Sequence, residues 1–166
     1  MRNFVPLLPF LLAACNQPAS ESHGKSATVL DCERDAVAAA SDGEREAVAS
    51  TVQLYFQGHA TGNGDYHRQA FHPDARLFWV KSGALAQKSS ADFAAGASGK
   101  PADDEVRRVR RIAAVDVSGD AAMAKVELLY PNARLVDYLS LLKIDGRWTI
   151  VNKIFHREDT APSAMR

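Results

Sequence analysis

The hydrophobic pattern along this chain changes character three times. Phe4 to Ala14 is an apolar run interrupted only by Pro6 and Pro9. From Asn16 to about residue 30, small and polar residues follow with no apolar period, the composition of a flexible tether. Beyond Ser41 the pattern becomes helical: Val48, Val52, Tyr55 and His59 recur at i, i+4, i+7 and i+11, with Ala47, Thr51 and Leu54 beside them. The spacing predicts an amphipathic helix opened by the capping box of Ser41-Asp42-Gly43-Glu44 and closed at Gly62-Asn63-Gly64. A short helix from Asp65 to Phe71 is stopped by Pro73. Then the period turns extended. Arg76-Leu77-Phe78-Trp79-Val80 reads as a strand, and Ser90 to Ala95 as a small helix ended by Gly96. Strands are expected over about 106–117, 121–130, 134–144 and 147–157, joined by Ser118-Gly119-Asp120, Pro131-Asn132 and Asp145-Gly146.

Helices that precede an antiparallel meander make an α+β domain, here residues 41–158 with a tail at 159–166. In strict alternation along the last strand, Trp148, Ile150 and Ile154 share one face and Val151 and Phe155 the other. Both faces then need cover, and the early helices supply one. A homodimer is expected to cover the second, through Val151 and Phe155 or through Trp148 and Ile150.

The first run sets a compartment. Arg2 is a positive n-region, and eleven apolar residues are about half of what a bilayer crossing needs. Leu12-Ala13-Ala14-Cys15 resembles the lipobox of bacterial lipoproteins, which implies a signal peptide over 1–14, an acylated Cys15 and a tether over 15–40. Asn16, where an Asp would favour inner-membrane retention, points to the outer membrane facing the periplasm. Acylation of Cys15 leaves Cys32 without a disulfide partner. Among Asp31, Glu33 and Asp35 its thiolate is disfavoured, and it reads as an unpaired linker thiol.

Composition narrows the partners. With 46% hydrophobic residues among 166, the chain is too apolar for a disordered polymer. Twenty basic against twenty acidic side chains give no field for nucleic acid. Arg107-Arg108-Val109-Arg110-Arg111 projects to both faces of a strand and suits a charge-blunted edge.

The stretch Asp137-Tyr138-Leu139-Ser140-Leu141-Leu142-Lys143-Ile144-Asp145-Gly146-Arg147-Trp148-Thr149-Ile150-Val151-Asn152-Lys153-Ile154-Phe155-His156 resembles the C-terminal signature of the "putative lumazine-binding" family, within the nuclear transport factor 2-like superfamily. Tyr55, Gly64-Asp65 and Phe71-His72-Pro73-Asp74-Ala75 fall on its Y…GD…FHPDA pattern, so the likeness runs from about 44 to 158. It implies a curved sheet wrapped around the long helix, a cone whose mouth admits a small hydrophobic molecule. It does not choose a ligand, since the superfamily includes isomerases, dehydratases, polyketide cyclases and non-catalytic binders. Aligned with ketosteroid isomerase, Tyr55 falls on the oxyanion-hole tyrosine, Trp79 on the catalytic base and Ser140 near the buried acid. Two of the three functional groups are then replaced, and Trp79 cannot accept a proton from carbon.

The remaining polar candidates divide. Tyr55 suits either an oxyanion donor or a core tyrosine bonded to backbone. His72 and Asp74 flank Pro73 and make either a general base or a turn. Asp137, on an otherwise apolar strand, either pairs with Lys153 or Arg134 or is held protonated in a pocket. Lys153 and His156 lie on opposite faces of the last strand, so one of them at most faces a cavity. No H-x-x-x-H pair or Cys cluster accompanies His59, His67, His72 and His156, so neither a metal nor another cofactor is expected. Tyr138 and Ser140 share a strand face with Leu142 and Ile144, and with Tyr55 and Trp79 they are the expected walls of the cavity. The chain reads as a lipid-anchored binder of a small apolar or aromatic molecule, without catalysis. The alternative is a cofactor-independent isomerase, dehydratase or hydrolase using Tyr55 with His72, Asp74 or Asp137.

Overall fold

The computed structural model describes residues 29–160, with side chains from Asp42 onward. The order is α1 (Val29–Thr61), α2 (Gly64–Ala70), β1 (Phe71–Lys81), β2 (Ala84–Ser89), α3 (Ser90–Ala95), β3 (Val109–Ser118), β4 (Ala121–Tyr130), β5 (Ala133–Ile144) and β6 (Arg147–Asp159). The six strands form one curved, unclosed sheet in the order β2-β1-β6-β5-β4-β3, antiparallel except where β1 lies parallel to β6. The signal peptide, Cys15, the first part of the tether and nearly all of the tail lie outside the described residues.

Two sequence expectations are corrected. Helix α1 starts at Val29, so the supposed tether is helical over its second half and Ser41-Asp42-Gly43-Glu44 lies inside the helix. Ala36 and Ala38 to Ala40 carry the helix through this stretch, since alanine has the highest helix propensity. Glu44 instead accepts hydrogen bonds from Lys143 Nζ (2.5 Å) and Trp148 Nε1 (2.7 Å), tying α1 to the β5–β6 hairpin. The second correction is β2, an added edge strand paired with β1 from Arg76↔Ser89 to Lys81↔Ala84. Its turn is Ser82-Gly83, both at positive φ (51° and 80°), the type I′ geometry that matches strand twist. Asp145-Gly146 forms the same kind of turn between β5 and β6 (50° and 76°), as the sequence predicts.

The inner face of the sheet closes on α1. Val48, Val52 and Tyr55 meet Leu77 of β1, Val126 and Leu128 of β4, Leu139 and Leu141 of β5, and Trp148 and Ile150 of β6. A bulge in β6 changes the parity of its faces, because Leu141 pairs with Ile150 while Ser140 pairs with Asn152. Trp148, Ile150, Lys153 and Phe155 therefore all point inward, and Ile154 points out. Of the side chains expected from strict alternation to form a homodimer surface, Trp148 and Ile150 are buried against α1 and Phe155 turns inward, half-buried.

Candidate functional site

The open end of the sheet places a polar cluster in the core. Tyr55 comes from the buried stripe of α1, Asp137 from β5 and Lys153 from β6, two residues past the bulge. Tyr55 donates from its hydroxyl to Asp137 Oδ2 (2.5 Å). Lys153 Nζ lies 2.5 Å from the Tyr55 oxygen and 2.9 Å from Asp137 Oδ2, closing a triangle. All three are buried, with Tyr55 and Asp137 at 0% exposure and Lys153 at 3%. Aromatic rings surround the ammonium: Phe155 at 4.7 Å, Tyr55 at 4.8 Å and Phe93 of α3 at 5.5 Å.

Two imidazoles extend the cluster along α1 and α2. His59 lies edge-on to Tyr55 (4.7 Å between ring centres) and 5.1 Å from His67, which packs on Phe93 at 4.5 Å. On the far side Arg108 stacks over Tyr130 at 4.3 Å, and Arg110 makes two hydrogen bonds to Glu105. Burial sets the protonation preferences. It pushes the Lys153 amine below its ordinary value even though the Asp137 carboxylate pulls the other way. Burial, and then the charge of Asp137, raises the Tyr55 phenol well above its ordinary value. Burial and the Lys153 charge hold the His67 imidazole down to about 4, and the same two causes hold that of His59 well below its ordinary value.

Several of these groups are incompletely satisfied. Among the described residues, Asp137 Oδ1, His59 Nε2, His67 Nδ1, Arg110 Nε and the Tyr130 hydroxyl are buried without a hydrogen-bond partner. Each such group costs about 1–3 kcal/mol unless water or a ligand meets it. Their concentration around one end of the cone is the strongest functional signal in the fold. Toward solvent, Phe155 packs on Trp79 (5.4 Å), and both line a rim groove of about 840 Å³ with Lys81 and Arg157.

The sequence candidates fall in different places. Tyr55 and Asp137 meet inside the cone, and Trp79 stands at its rim. Tyr138 and Ser140 do not line the interior, because Asp137, Leu139 and Leu141 take the inward positions of β5 and leave the alternate residues outside. The carboxyl that meets the tyrosine is thus Asp137, not a group near Ser140. His72 and Asp74 lie in the first part of β1, outside the cone: Asp74 N–H donates to His72 Nδ1 (3.2 Å), and the Asp74 side chain is 93% exposed. His156 faces outward and Lys153 inward. The sequence reading considered Lys153 as a partner for Asp137 and, with His156, as one of two residues of which at most one faces a cavity, and it did not join Phe93, His59 and His67 to the same site. The signal for Lys153 was its opposite polarity to Asp137 on a neighbouring strand, hidden by the unforeseen bulge.

Comparison with known proteins agrees with this geometry. The family described as "Putative lumazine-binding" matches residues 43–156. Aldolase FrzH of Cladobotryum sp is 26% identical over 113 residues, covering 68% of this chain and 90% of that protein. Among solved structures, an NTF2-like protein of unknown function from Shewanella baltica is 25% identical with a TM-score of 0.64, covering 71% of this chain and 96% of the other. A second, from Methylobacillus flagellatus, is 32% identical with a TM-score of 0.61, covering 70% and 93%. With the match spanning most of the chain and the curved sheet wrapped on its helix, this protein belongs to the "Putative lumazine-binding" family of nuclear transport factor 2-like proteins.

Proposed function

We propose that the cone binds a small, largely apolar or aromatic molecule whose polar end meets Tyr55, Asp137 and Lys153. The observation that carries this reading is the group of buried, unpartnered polar atoms at one end of an aromatic interior. A ligand with one or two hydrogen-bonding atoms would satisfy part of this group, Asp137 Oδ1 first, while Phe93, Phe155 and Trp79 would enclose its body. The family's name and its fold are consistent with such a role. Native mass spectrometry of the purified chain tests it: a bound small mass is expected in the wild type and a weakened complex in Trp79→Leu. Absence of any bound mass, together with no binding of flat aromatic probes, would remove the reading.

A second reading is catalysis, favoured by the likeness to a protein named aldolase and by an amine, a phenol and a carboxyl in mutual contact. The residues for it are Tyr55, Asp137 and Lys153. His72 and Asp74 are on the surface and take no part. Turnover of a carbonyl substrate by the wild type and not by Asp137→Asn would put this reading first.

The wider setting follows from the N-terminal sequence and the outer sheet face. The chain is proposed to be a lipoprotein held through Cys15 in the bacterial envelope, at the outer membrane, and to pair with a second copy of itself. Cys15→Ser is then expected to move the protein from the membrane to the soluble periplasmic fraction. An unchanged distribution would exclude the anchor.

A further inference from the structure

The interior amine is placed for bond formation as well as for charge pairing. A lysine that served only to neutralise Asp137 would need no other polar neighbour, yet Lys153 Nζ also touches the Tyr55 oxygen at 2.5 Å and lies within 5.5 Å of three aromatic rings. In so apolar a cage the ion pair has a neutral alternative: one proton moved from Nζ to Asp137 Oδ2 leaves a free amine beside a carboxylic acid, with no charge left to solvate. Nucleophilic lysines arise in such desolvated settings.

We propose that Lys153 forms an imine with a carbonyl compound, an aldehyde or ketone whose apolar body occupies the cone. The inference rests on the reading of the cone as a small-molecule site. Nζ attacks the carbonyl carbon, and the π electron pair moves to oxygen, which takes the proton resting on Asp137. Asp137 then removes a proton from the nitrogen and delivers it to the new hydroxyl, which leaves as water as the nitrogen lone pair closes the C=N bond. The sum is ammonium plus carbonyl giving a protonated imine plus water, with the Asp137 carboxylate restored beside the new cation. No oxidant or reductant enters. Tyr55, bonded to both partners, is a positioning residue that holds the amine and the carboxyl against each other. Asp137 Oδ1, without a partner among the described residues, remains to accept a proton from the carbon next to the imine.

The test is reductive trapping of the full chain with 6-methoxy-2-naphthaldehyde and cyanoborohydride at neutral pH, followed by peptide mapping. An ordinary solvated lysine has only about one amine in a thousand unprotonated at that pH. Lys153 is therefore expected to carry the first adduct, forming about tenfold or more faster than any other site. Folded Tyr55→Phe is expected to slow that adduct about tenfold, and the wild type is expected to bind 2-methoxynaphthalene, which has no carbonyl. Lys153→Met should abolish the fast adduct. A probe that binds, by its fluorescence, without modifying Lys153 would overturn the imine and leave the cone site standing. Failure of both compounds to bind would overturn the two together. Labelling spread evenly over surface lysines would also exclude the proposal.

Discussion

Asp137 and Lys153 share a site from which water is excluded, so removing either leaves the other polar and unmatched. Breaking a buried pair in this way costs about 3–5 kcal/mol, whereas replacing both members by apolar side chains of similar volume is often close to neutral. Asp137→Leu and Lys153→Met are each expected to lower the unfolding free energy by about that amount, and the double variant by far less than the sum. Urea denaturation of the three variants checks it, and strictly additive losses would mean that the two side chains do not interact. His67 gives a pH counterpart. Its imidazole is held down to about 4 in the folded chain against 6.5 in the open one. Above pH 6.5 the ring is neutral in both states and its contribution to stability is complete. Between 6.5 and 4 the unfolded chain takes up the proton and the folded chain does not, so stability falls by about 3 kcal/mol across that window. The loss should be largely absent in His67→Phe, and an equal loss in that variant would assign it to other groups. Tyr55 could be placed from sequence because a helical stripe has one buried side. Tyr138 and Ser140 could not, because β5 is apolar on both faces: Leu139 and Leu141 on one, Leu142 and Ile144 on the other. A period of two says which residues stand together. It does not say which set is inside.

At the level of elements, the packing of α1 on α2 depends on Gly58. A Cβ there would overlap the His67 imidazole, which fills the space left by the missing side chain. In an ordinary helix interior Gly→Ala gains about 1 kcal/mol. Here the methyl meets a buried ring, and overpacking of this kind costs about 1–3 kcal/mol. Gly58→Ala is therefore expected to destabilise the wild type and to stabilise a His67→Ala background. A thermal melt that moved the same way in both would show that the contact does not govern the helix pair. The same scale explains where elements were legible. The hairpins of β3 to β6 were evident because their turns carry Gly or Pro-Asn between apolar runs, and α3 because Gly96 ends it; its cap by Ser89 is shown by the structure. Strand β2 was not evident: Ala84-Leu85-Ala86-Gln87-Lys88 has no β-branched residue and lies at an edge, so its pairing rests on β1 and on the Ser82-Gly83 turn. The β6 bulge has no marker residue. Yet it decides that Lys153 joins Trp148 and Ile150 inside, and so it decides the composition of the site.

For the molecule as a whole, the face of the sheet turned away from α1 remains to be accounted for. Val80, Leu85, Met123, Tyr138, Leu142 and Ile154 lie 38–75% exposed across β1, β2, β4, β5 and β6. A groove of about 340 Å³ runs between Val80, Leu85, Tyr138 and Ile154. Apolar residues scattered singly on a surface need no explanation, but contiguous ones on a single sheet face form a patch that monomers seldom expose. A second copy of the chain would meet the same patch through a two-fold axis, the usual way in which identical subunits associate. A stable pairing needs about 800 Å² buried on each partner, an extent that a face five strands wide can supply. Of the side chains from which the sequence reading expected a homodimer, Trp148 and Ile150 are buried and Phe155 points inward at the rim, while Ile154 alone joins this outer patch, whose other members come from neighbouring strands. Light scattering at roughly tens of micromolar is expected to give twice the chain mass. Ile154→Lys with Tyr138→Lys would place four charges across the axis and should give the monomer mass with the helical content of the wild type intact. Both side chains project from the face opposite Tyr55, Asp137 and Lys153, so ligand binding should persist in the monomer. A wild type that is already monomeric would leave the outer face to another partner, and a double variant that stayed dimeric would move the interface elsewhere.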